Sequence, residues 1–377
     1  MKSMSGANAS PIGRSHQEKI AYLPGDGVGP EVLAEARRVL ELCGRIYDRN
    51  FDIVEGDIGG IAIEKHDSPL PPPTVELVKS AQAVLLGAVG GPKYDSLPAP
   101  KKPERGLLNL RELLGNYANL RPVFVYDCLA DSSNVRTEIV KGVDMVFVRE
   151  LLGGIYFGKP RSRDENRALD TEVYTVEEVR RVARVAFSLA RSRRKKLTSV
   201  DKANVLESSI LWRQTVNTVA KEFPDVALDH LYVDNCAMQL ILKPKSFDVV
   251  VTNNIFGDIL SDEGGVLVGS LGMLPSAAIG GTAGLYEPIH GSAPDIAGKS
   301  VANPIGAIAS VGMMFEHSFG LPEACARVQK AITRALEKGY RTRDLMPQGS
   351  VDASKLTLAT TRQMADVIYG FIENPDA

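Results

Sequence analysis

The feature that most constrains the fold is the alternation of short apolar runs with longer amphipathic segments. Ala83–Ala88 (AVLLGA) and Val249–Thr252 (VVVT) are short apolar or β-branched runs, which are typical of strands buried on both faces. Val176–Arg194 instead carries its apolar residues at the spacing of a helix with one buried face. Strands that alternate with helices predict an α/β fold with a largely parallel sheet.

The remaining elements are predicted from the same periodicities. Further strands are predicted at Lys19–Leu23, Phe51–Glu55, Asp144–Arg149, Leu197–Asp201 and Leu228–Val233. Further helices are predicted at about Pro30–Tyr47, Val75–Ser80, Leu107–Leu114, Ser208–Phe223, Pro304–Phe319, Leu321–Lys338 and Lys355–Ile372. Ala168–Thr175 alternates like part of a hairpin, and the segment after Gly280 is predicted to be a long irregular loop.

Length and charge narrow the class of protein. A chain of 377 residues, 44% of them hydrophobic, predicts two domains with sizeable cores. The net charge of −2 argues against broad electrostatic binding to nucleic acid or to an anionic membrane. The basic run Arg191–Lys196 has no interleaved aromatic residue and is predicted to be a solvated helix end.

The cysteines and the N-terminal segment indicate the cellular compartment in which the protein works. The four cysteines are scattered without a CxxC pair, so neither a zinc site nor a disulfide framework is predicted. This usage fits a reducing environment and predicts a cytoplasmic protein. Residues 1–18 are polar and lack the apolar core of a signal peptide, so they are predicted to be a disordered extension.

Two acidic residues follow the strand predicted at Val249–Thr252. Asp258 and Asp262 lie four apart on one face at the predicted start of a helix, where like charges repel by about 0.2–0.5 kcal/mol. A hard divalent cation would remove this repulsion, because Mg²⁺ and Mn²⁺ bind carboxylate oxygens. The alternative is a pair of solvated acids near a helix N-terminus, and the stretch alone favours that alternative.

Three arginines are candidates for binding an acidic substrate. Arg111 (NLREL), Arg121 (NLRPV) and Arg149 (FVREL) are each predicted at the end of an element. A guanidinium binds a carboxylate through two parallel hydrogen bonds, so three of them suit a substrate with two carboxylates. Taken singly, each is better explained as a surface ion-pair partner.

Three further residues are candidates for proton transfer or metal binding. Tyr156 (LLGGIYFG) follows a glycine pair and is either an acid near the substrate or a packing tyrosine. Lys202 (SVDKANVL) is a base if burial and neighbouring cations lower its pKa, and otherwise a solvated lysine. Asp234 (YVDN) is either a third metal carboxylate or a helix cap.

A glycine-rich turn and a glycine-rich loop are candidates for cofactor binding. Gly25, Gly27 and Gly29 (GDGVG) have the spacing GxGxG, which is not the GxGxxG of a standard Rossmann site. The glycines are needed either for the backbone dihedrals of a tight turn or to leave the turn free of side chains so that a cofactor can approach. Glu287 and His290 (YEPIHGSAPD) lie on the predicted loop, where backbone amides can cradle a pyrophosphate, although a lone histidine is more often structural.

Six long motifs carry a resemblance to a known family. They are LPGDGVGPEV, RGLLNLRELLGNYANLRP, RELLGGIYFG, DKANVLESS, NIFGDILSDEGG and EPIHGSAPDIAGKSVANP. From about Lys19 to the C-terminus the chain resembles the isocitrate/isopropylmalate family of β-decarboxylating dehydrogenases. The resemblance implies a two-domain α/β fold with a parallel or mixed sheet, distinct from the Rossmann fold. It also implies NAD-dependent oxidation and decarboxylation of a 2-hydroxy acid.

The resemblance implies a role for each residue that matches a motif. The substrate carboxylates would be bound by Arg111, Arg121 and Arg149. The metal, Mg²⁺ or Mn²⁺, would be held by Asp234, Asp258 and Asp262. Lys202 would take the hydroxyl proton, and Tyr156 would protonate the enol carbon after CO₂ is lost. Family members are homodimers, so Lys202 and Asp234 would serve the site of the neighbouring subunit.

Substrate choice is implied by the segment before Arg111. Isocitrate enzymes of the family carry a serine-containing SxNxxLR pattern there, whereas this chain has Glu104, Leu107 and Leu108. Two leucines form an apolar wall that suits an isopropyl group and disfavours a third carboxylate. Val205 would also touch the isopropyl group, and Glu104 would lie near the nicotinamide. The substrate implied is 3-isopropylmalate, an intermediate of leucine biosynthesis.

The cofactor implied is NAD. It would contact Glu287, His290, Gly291, Ser292, Ala293, Asp295 and Asn303. The Asp295 carboxylate would accept hydrogen bonds from the ribose hydroxyls and repel a 2′-phosphate. NADP-using relatives carry a lysine–tyrosine pair where this chain has Asp295 and Ile296.

The family architecture implies a domain division and leaves two alternatives open. A discontinuous cofactor-binding domain would comprise residues 19–116 and 269–377, and a second domain, residues 117–268, would hold metal and substrate and dimerise. One alternative function is that of a sister enzyme acting on tartrate, malate or homoisocitrate. The other is that of a regulatory subunit that binds ligands without turnover.

Overall fold

The computed structural model describes residues 17–133, 135–347 and 353–376. The strands are β1 (Glu18–Gly25), β2 (Phe51–Glu55), β3 (Ala83–Ala88), β4 (Ala118–Phe124), β5 (Asp144–Glu150), β6 (Ser162–Arg163), β7 (Ala168–Leu169), β8 (Lys196–Asp201), β9 (Ala227–Tyr232), β10 (Val249–Thr252), β11 (Pro275–Ile279), β12 (Gly284–Pro288), β13 (Tyr340–Arg341) and β14 (Thr357–Leu358). The helices are α1 (Gly29–Ile46), α2 (Gly60–His66), α3 (Pro72–Ser80), α4 (Pro103–Leu114), α5 (Thr137–Val140), α6 (Val176–Ser192), α7 (Glu207–Ala220), α8 (Val233–Leu242), α9 (Asn254–Val266), α10 (Ile305–Phe319), α11 (Pro322–Glu337) and α12 (Thr361–Glu373).

Ten of the described strands form one large mixed sheet in the order β2-β1-β3-β12-β11-β4-β5-β10-β8-β9. The two flanks are parallel: β1 pairs with β2 and β3, β3 with β12, β10 with β5 and β8, and β8 with β9. The centre is antiparallel, through the pairs β12–β11, β11–β4 and β4–β5. The predicted α/β fold is thereby confirmed, and the antiparallel centre separates it from the standard Rossmann topology.

The two faces of the sheet are covered by different hydrophobic clusters, which explains the all-apolar strands. In β3, every residue is buried. Ala83 and Leu85 face a large cluster that includes α1, while Val84 and Leu86 face a smaller one. Leu110 and Leu114 of α4 belong to the smaller cluster. Their burial fixes the face of α4 and therefore the direction of the arginine that precedes Leu114 by one turn.

Several predicted boundaries are wrong. The segment after Gly280 is not all loop, because its residues 284–288 form β12. The last helix begins at Thr361, where a capping box forms, and not at Lys355, since residues 357–358 pair as β14 with β13. The predicted hairpin is confirmed only at Ala168–Leu169, which pairs with β6. The helix α4 begins four residues earlier than predicted, so that Glu104 lies inside it.

The basic run Arg191–Lys196 lies at the end of α6 and is largely exposed, as predicted, and its arginines are also paired with acids. Arg191 pairs with Asp225, while Arg193 donates to Asp144 and Asp248. With its charge locally balanced, the run offers little free positive potential to a nucleic acid.

The predicted domain division stays a prediction. The strand order groups residues 19–116 and 269 onward on one flank and 117–268 on the other, with β11 and β4 pairing at the seam. Of the predicted extension 1–18, residues 1–16 lie outside the described residues, and Glu18 already belongs to β1. Among the described helices, none is both long and apolar enough to cross a bilayer.

Candidate active site at the centre of the sheet

Helix α9 carries the paired acids, and they lie well inside it. The strand β10 ends at Thr252, and the Asn253 side chain caps the helix by accepting a hydrogen bond from the amide of Phe256 at 2.8 Å. Because α9 begins at Asn254, Asp258 and Asp262 lie in its second and third turns and not at its start, as was predicted. The helix dipole acts mainly on the first turn, so it does not explain these two acids.

Asp258 is surrounded by donors. The Nη1 of Arg149 donates to its Oδ1, the Tyr156 hydroxyl donates to its Oδ2 at 2.8 Å, and Arg121 lies at 3.4 Å. Burial raises the pKa of Asp258, but the two guanidiniums more than offset it and hold the pKa below its usual range. At Asp262, 3.2 Å from Arg121, burial wins and raises the pKa of the carboxyl.

The three candidate arginines are buried, which excludes the alternative of surface ion pairs. Arg111 is 8% exposed, Arg121 is 6% and Arg149 is 1%. Arg121 lies in the middle of β4 and not at an element end, as was predicted, and it donates to Ser261 and Asp262 of α9. Arg111, in the last turn of α4, donates to Glu287 of β12 at 2.8 Å. Five elements, α4, β4, β5, α9 and β12, therefore bring the guanidiniums and carboxylates together.

The cluster is close to charge-neutral as it stands. It contains three guanidiniums and three carboxylates, those of Arg111, Arg121, Arg149, Asp258, Asp262 and Glu287. A dianionic acid and a divalent cation together add no net charge, so both can enter without burying an uncompensated ion. A cation on the aspartates would also release guanidinium donors for the substrate carboxylates.

Lys202 and Asp234 contact each other and stand apart from this cluster. The Lys202 Nζ donates to Asp234 Oδ1 at 2.6 Å, and this hydrogen bond lowers the pKa of the aspartate. Asp234 lies in the first turn of α8 and its side chain is 62% exposed. Across the described ranges, no three His, Cys, Asp or Glu side chains are grouped so as to hold a metal. Asp258 and Asp262 offer the hard oxygen donors that Mg²⁺ and Mn²⁺ prefer, but further ligands must come from elsewhere.

The residues predicted to select the substrate occupy different positions in the fold. Leu107 and Leu108 are partly buried on α4, and Leu107 packs against the smaller core cluster. Glu104 lies one turn earlier in α4. Its Oε1 is close to Gly90, since a Cβ added to Gly90 would lie 2.7 Å from that oxygen. Val205 is 68% exposed, which is unusual for a valine.

A cavity of about 400 Å³ collects most of the predicted cofactor residues, and we call it the His290 cavity. Its lining includes His290, Gly291, Ala293, Ile296, Asn303 and Asp344. The Nε2 of His290 is buried without a hydrogen-bond partner, and burial lowers the pKa of its imidazole. A neutral imidazole with a free nitrogen, beside a glycine whose Cβ position is open, fits a heteroaromatic ligand such as adenosine.

The other predicted cofactor residues lie outside this cavity. Asp295 lines a neighbouring cavity of about 630 Å³ with Gly25, Gly27 and Tyr94. The backbone oxygen of Ser292 accepts a hydrogen bond from the amide of Val28 at 2.8 Å. Glu287 is engaged by Arg111, as described above, and lies in β12 and not on a loop.

The glycine-rich turn is explained first by its own backbone. Gly25 and Gly27 both have positive φ, and a Cβ on Gly27 would lie 1.9 Å from the oxygen of Ser292. The turn therefore needs glycine in order to close on the loop that carries His290. This accounts for the tight geometry without requiring a cofactor beside it.

Three residues that touch the site were missed by reasoning from the sequence. Asn254 accepts a hydrogen bond from Arg149, and Glu150 accepts one from the amide of Gly153, in the segment that leads to Tyr156. Asp344 accepts a hydrogen bond from Asn303 beside the His290 cavity. Asn254 and Glu150 lie inside two of the quoted motifs, NIFGDILSDEGG and RELLGGIYFG, which was the available signal. Asp344 lines the same cavity as His290 but lies far from it in the sequence, and no sequence motif around Asp344 marks it.

Comparison with known proteins gives consistent matches. The family model described as isocitrate/isopropylmalate dehydrogenase matches residues 19–368. A 3-isopropylmalate dehydrogenase of Aquifex aeolicus is 54% identical, with 94% of this chain and 97% of the relative covered. One of Clostridium acetobutylicum is 56% identical, with 88% and 94% covered. The crystal structure of an isocitrate dehydrogenase from Methylococcus capsulatus is similar at a TM-score of 0.81 and 34% identity, covering 95% of this chain and all of that one.

Proposed function

This chain belongs to the isocitrate/isopropylmalate dehydrogenase family, and we propose that it oxidises and decarboxylates 3-isopropylmalate with NAD⁺. The products are 4-methyl-2-oxopentanoate, CO₂ and NADH, and the reaction belongs to leucine biosynthesis. The observation that carries the proposal is the buried set of three arginines against the paired aspartates, beside two leucines of α4. The relatives named for this activity support the choice of substrate.

The arginines bind and orient the dicarboxylate. Arg121 and Arg149 lie on the neighbouring strands β4 and β5, and Arg111 approaches from α4, so their donors converge from two sides. Each guanidinium retains N–H groups beyond those used in its present contacts, and a carboxylate accepts two such hydrogen bonds at once. Leu107 and Leu108 would receive the isopropyl group, where a carboxylate would be left without a partner.

Two proton-transfer groups complete the chemistry. Lys202 takes the hydroxyl proton as a neutral amine and becomes an ammonium, and the hydrogen bond that it donates to Asp234 orients the group. Burial and the nearby Asp258 raise the pKa of Tyr156, so its phenol is protonated at neutral pH and can donate a proton to the enol carbon. Asp258, Asp262 and Asp234 would hold Mg²⁺ or Mn²⁺, which supplies Lewis-acid stabilisation of negative charge during decarboxylation. NAD⁺ supplies the hydride acceptor.

The His290 cavity is the proposed site for the adenosine half of the cofactor. Its apolar lining and the free nitrogen of His290 suit an adenine ring. Asp295 lies on the neighbouring cavity, where its exposed carboxylate can meet ribose hydroxyls and disfavour a 2′-phosphate. This charge is the reason that we propose NAD over NADP.

We also propose that the active form is a homodimer. On α8, Met238 and Leu242 follow Asp234 at intervals of four, so the three residues share one face, and both apolar side chains are more than half exposed. Ile259 and Val266 are exposed on α9, which packs against α8. A second copy on this apolar face would cover it and bring its Lys202 and Asp234 toward the aspartates of α9. The free cysteines agree with a cytoplasmic location.

The test is a substrate panel with the purified chain. 3-Isopropylmalate, isocitrate, tartrate, malate and homoisocitrate are each offered with NAD⁺ and with NADP⁺, and NADH or NADPH formation is followed. We expect the highest kcat/KM for 3-isopropylmalate with NAD⁺, loss of activity in EDTA, and recovery with Mg²⁺ or Mn²⁺. A preference for another acid would identify a sister enzyme. Turnover of none of them, with ligands still bound, would identify a regulatory subunit and reject the proposal.

A further inference from the structure

The turn between β5 and Tyr156 is held on both sides by side chains that have no part in the proposed chemistry. It comprises residues 151–153, and Tyr156 follows it in a short 3₁₀ helix. Gly153 and Gly154 pack so tightly on Tyr174 that a Cβ at either would lie within 3 Å of that ring. The backbone of the turn therefore cannot shift toward Tyr174, and its buried N–H and C=O groups need hydrogen-bond partners.

Asn254 holds the carbonyl side of this turn. Its Nδ2 donates to the oxygen of Leu151 at 3.2 Å and to the oxygen of Gly153 at 3.1 Å. Its Oδ1 accepts from Nη2 of Arg149 at 2.7 Å and from Nε at 3.2 Å. Both donors and both acceptor positions of the amide are therefore used, and the residue is only 1% exposed. One side chain links the turn to a substrate-binding arginine.

Glu150 holds the amide side of the same turn. Its carboxylate accepts from the amide of Gly153 at 2.8 Å and from that of Leu152 at 3.1 Å. The group is fully buried, and the cation closest to it is Arg181, at 3.7 Å on α6. At that distance the ion pair is weak, so the main interactions of the carboxylate are with the turn.

We propose that Glu150 and Asn254 are positioning residues, which clamp the Leu151–Gly153 turn so that Tyr156 reaches the reacting carbon. The inference rests on the proposed function, because it assigns the clamp to the step in which Tyr156 donates its proton. Asn254 has a second task, since it also orients Arg149. The Glu150 carboxylate binds the turn and, more weakly, Arg181, which is not one of the substrate-binding arginines. The two residues should therefore differ in how they affect kcat and KM.

The kinetic test compares Glu150→Gln with Asn254→Ala. Glu150→Gln keeps the shape of the side chain. Its NH₂ group, however, replaces one of the two oxygens that accept backbone N–H groups of the turn, so one of these hydrogen bonds is lost. We expect kcat to fall by about tenfold to 100-fold, since small displacements of a reacting group have effects of this size, while KM for 3-isopropylmalate stays within about twofold. Asn254→Ala should lower kcat similarly and also raise KM by about tenfold, because Arg149 loses the two hydrogen bonds that it donates to Asn254 Oδ1.

A third signature separates positioning from a general loss of folded enzyme. Tyr156 acts after the hydride has been transferred, so a slower protonation leaves NADH formed before the slow step. Rapid mixing of either variant with substrate should then give a burst of NADH of about one equivalent per site, followed by slow turnover. A partly unfolded sample would instead show a smaller amplitude with unchanged kinetics. Asn116→Ala is the matched control, since Asn116 is equally buried and binds backbone groups away from the turn.

Hydrogen exchange tests the clamp independently of the substrate. Loss of either side chain should speed exchange of the amides at residues 151–156 by about tenfold relative to the wild type and to Asn116→Ala. Unchanged exchange there would overturn the clamp, whether or not the chain acts on 3-isopropylmalate. Faster exchange with wild-type kcat and no burst would overturn the positioning role. A wild type that is inactive on 3-isopropylmalate would reject the proposed function, while the exchange result would still decide the clamp.

Discussion

Glu150 also makes a quantitative prediction about stability. Burial raises the pKa of this carboxyl from its ordinary value of 4.5 to about 7, against the opposing effect of the two turn amides and Arg181. In the unfolded chain the carboxyl is solvated, and its pKa returns to the ordinary value. A rise in pH therefore lowers the free energy of unfolding, because the unfolded chain releases this proton more easily than the folded chain does.

The sign and size follow from linkage between ionisation and folding. Because the folded pKa is the higher one, the stabilising contribution is complete below about pH 4.5 and is lost as pH rises through about 7. Each pKa unit corresponds to about 1.4 kcal/mol, so the total is about 3 kcal/mol of unfolding free energy. Most of this falls between about pH 5 and pH 7. Such a difference is a large part of the stability of an ordinary domain.

The assay is urea unfolding of wild type and Glu150→Gln across this pH range at one fixed protein concentration, since an oligomer's apparent stability depends on concentration. The wild type should lose about 2–3 kcal/mol more than the variant between about pH 5 and pH 8. Glu177→Gln, on an exposed part of α6, is the control and should run parallel to the wild type. Parallel curves for wild type and Glu150→Gln would show that this carboxyl is not held neutral by burial.

Three further outcomes follow from the site. Lys202→Met should lower kcat by about 10²–10⁴-fold with an unchanged circular dichroism spectrum, and near-normal turnover would mean that the base is another group. Met238→Glu should shift the protein from dimer to monomer in light scattering and abolish activity; a dimer that persists would place the interface elsewhere. Asp295→Lys combined with Ile296→Tyr should move the NADP/NAD ratio of kcat/KM at least about tenfold toward NADP, and an unchanged ratio would exclude this loop as the discriminator.

Sequence periodicity found the parallel flanks of the sheet because their strands are either uniformly apolar, as in β3 and β10, or alternate in polarity, as in β2. The strands β4, β11 and β12 of the antiparallel centre were not predicted, for a physical reason. Each of its missed strands contains residues that are unfavourable for a strand: Arg121 and Pro122 in β4, Pro275 in β11, and Gly284 and Pro288 in β12. Tertiary pairing overrides these local preferences.

The candidate site divides in a similar way. Arg121, Arg149, Asp258 and Tyr156 were singled out from separate motifs, and the structure brings them into contact. Their spacing along the chain gives no indication of this, because strand order is a property of the whole sheet. The clamp residue Asn254 was invisible for a simpler reason, since a buried asparagine has the same sequence signature whether it caps a helix or holds a turn.

The ion pairs of the site lead to a last expectation about how its ligands enter. Asp258 and Asp262 are held by Arg149 and Arg121, so a cation that takes the carboxylates must leave those guanidiniums short of an anion. A dicarboxylate would satisfy them, and it would in turn be repelled if the aspartates stayed free. Metal and dicarboxylate should therefore strengthen each other's binding, by the same factor in both directions. Calorimetric titration of Mn²⁺ with and without 3-isopropylmalate, in the absence of NAD⁺, should show an affinity at least about tenfold higher with the acid present. Equal affinities would mean that the arginines and aspartates do not exchange partners when the site fills.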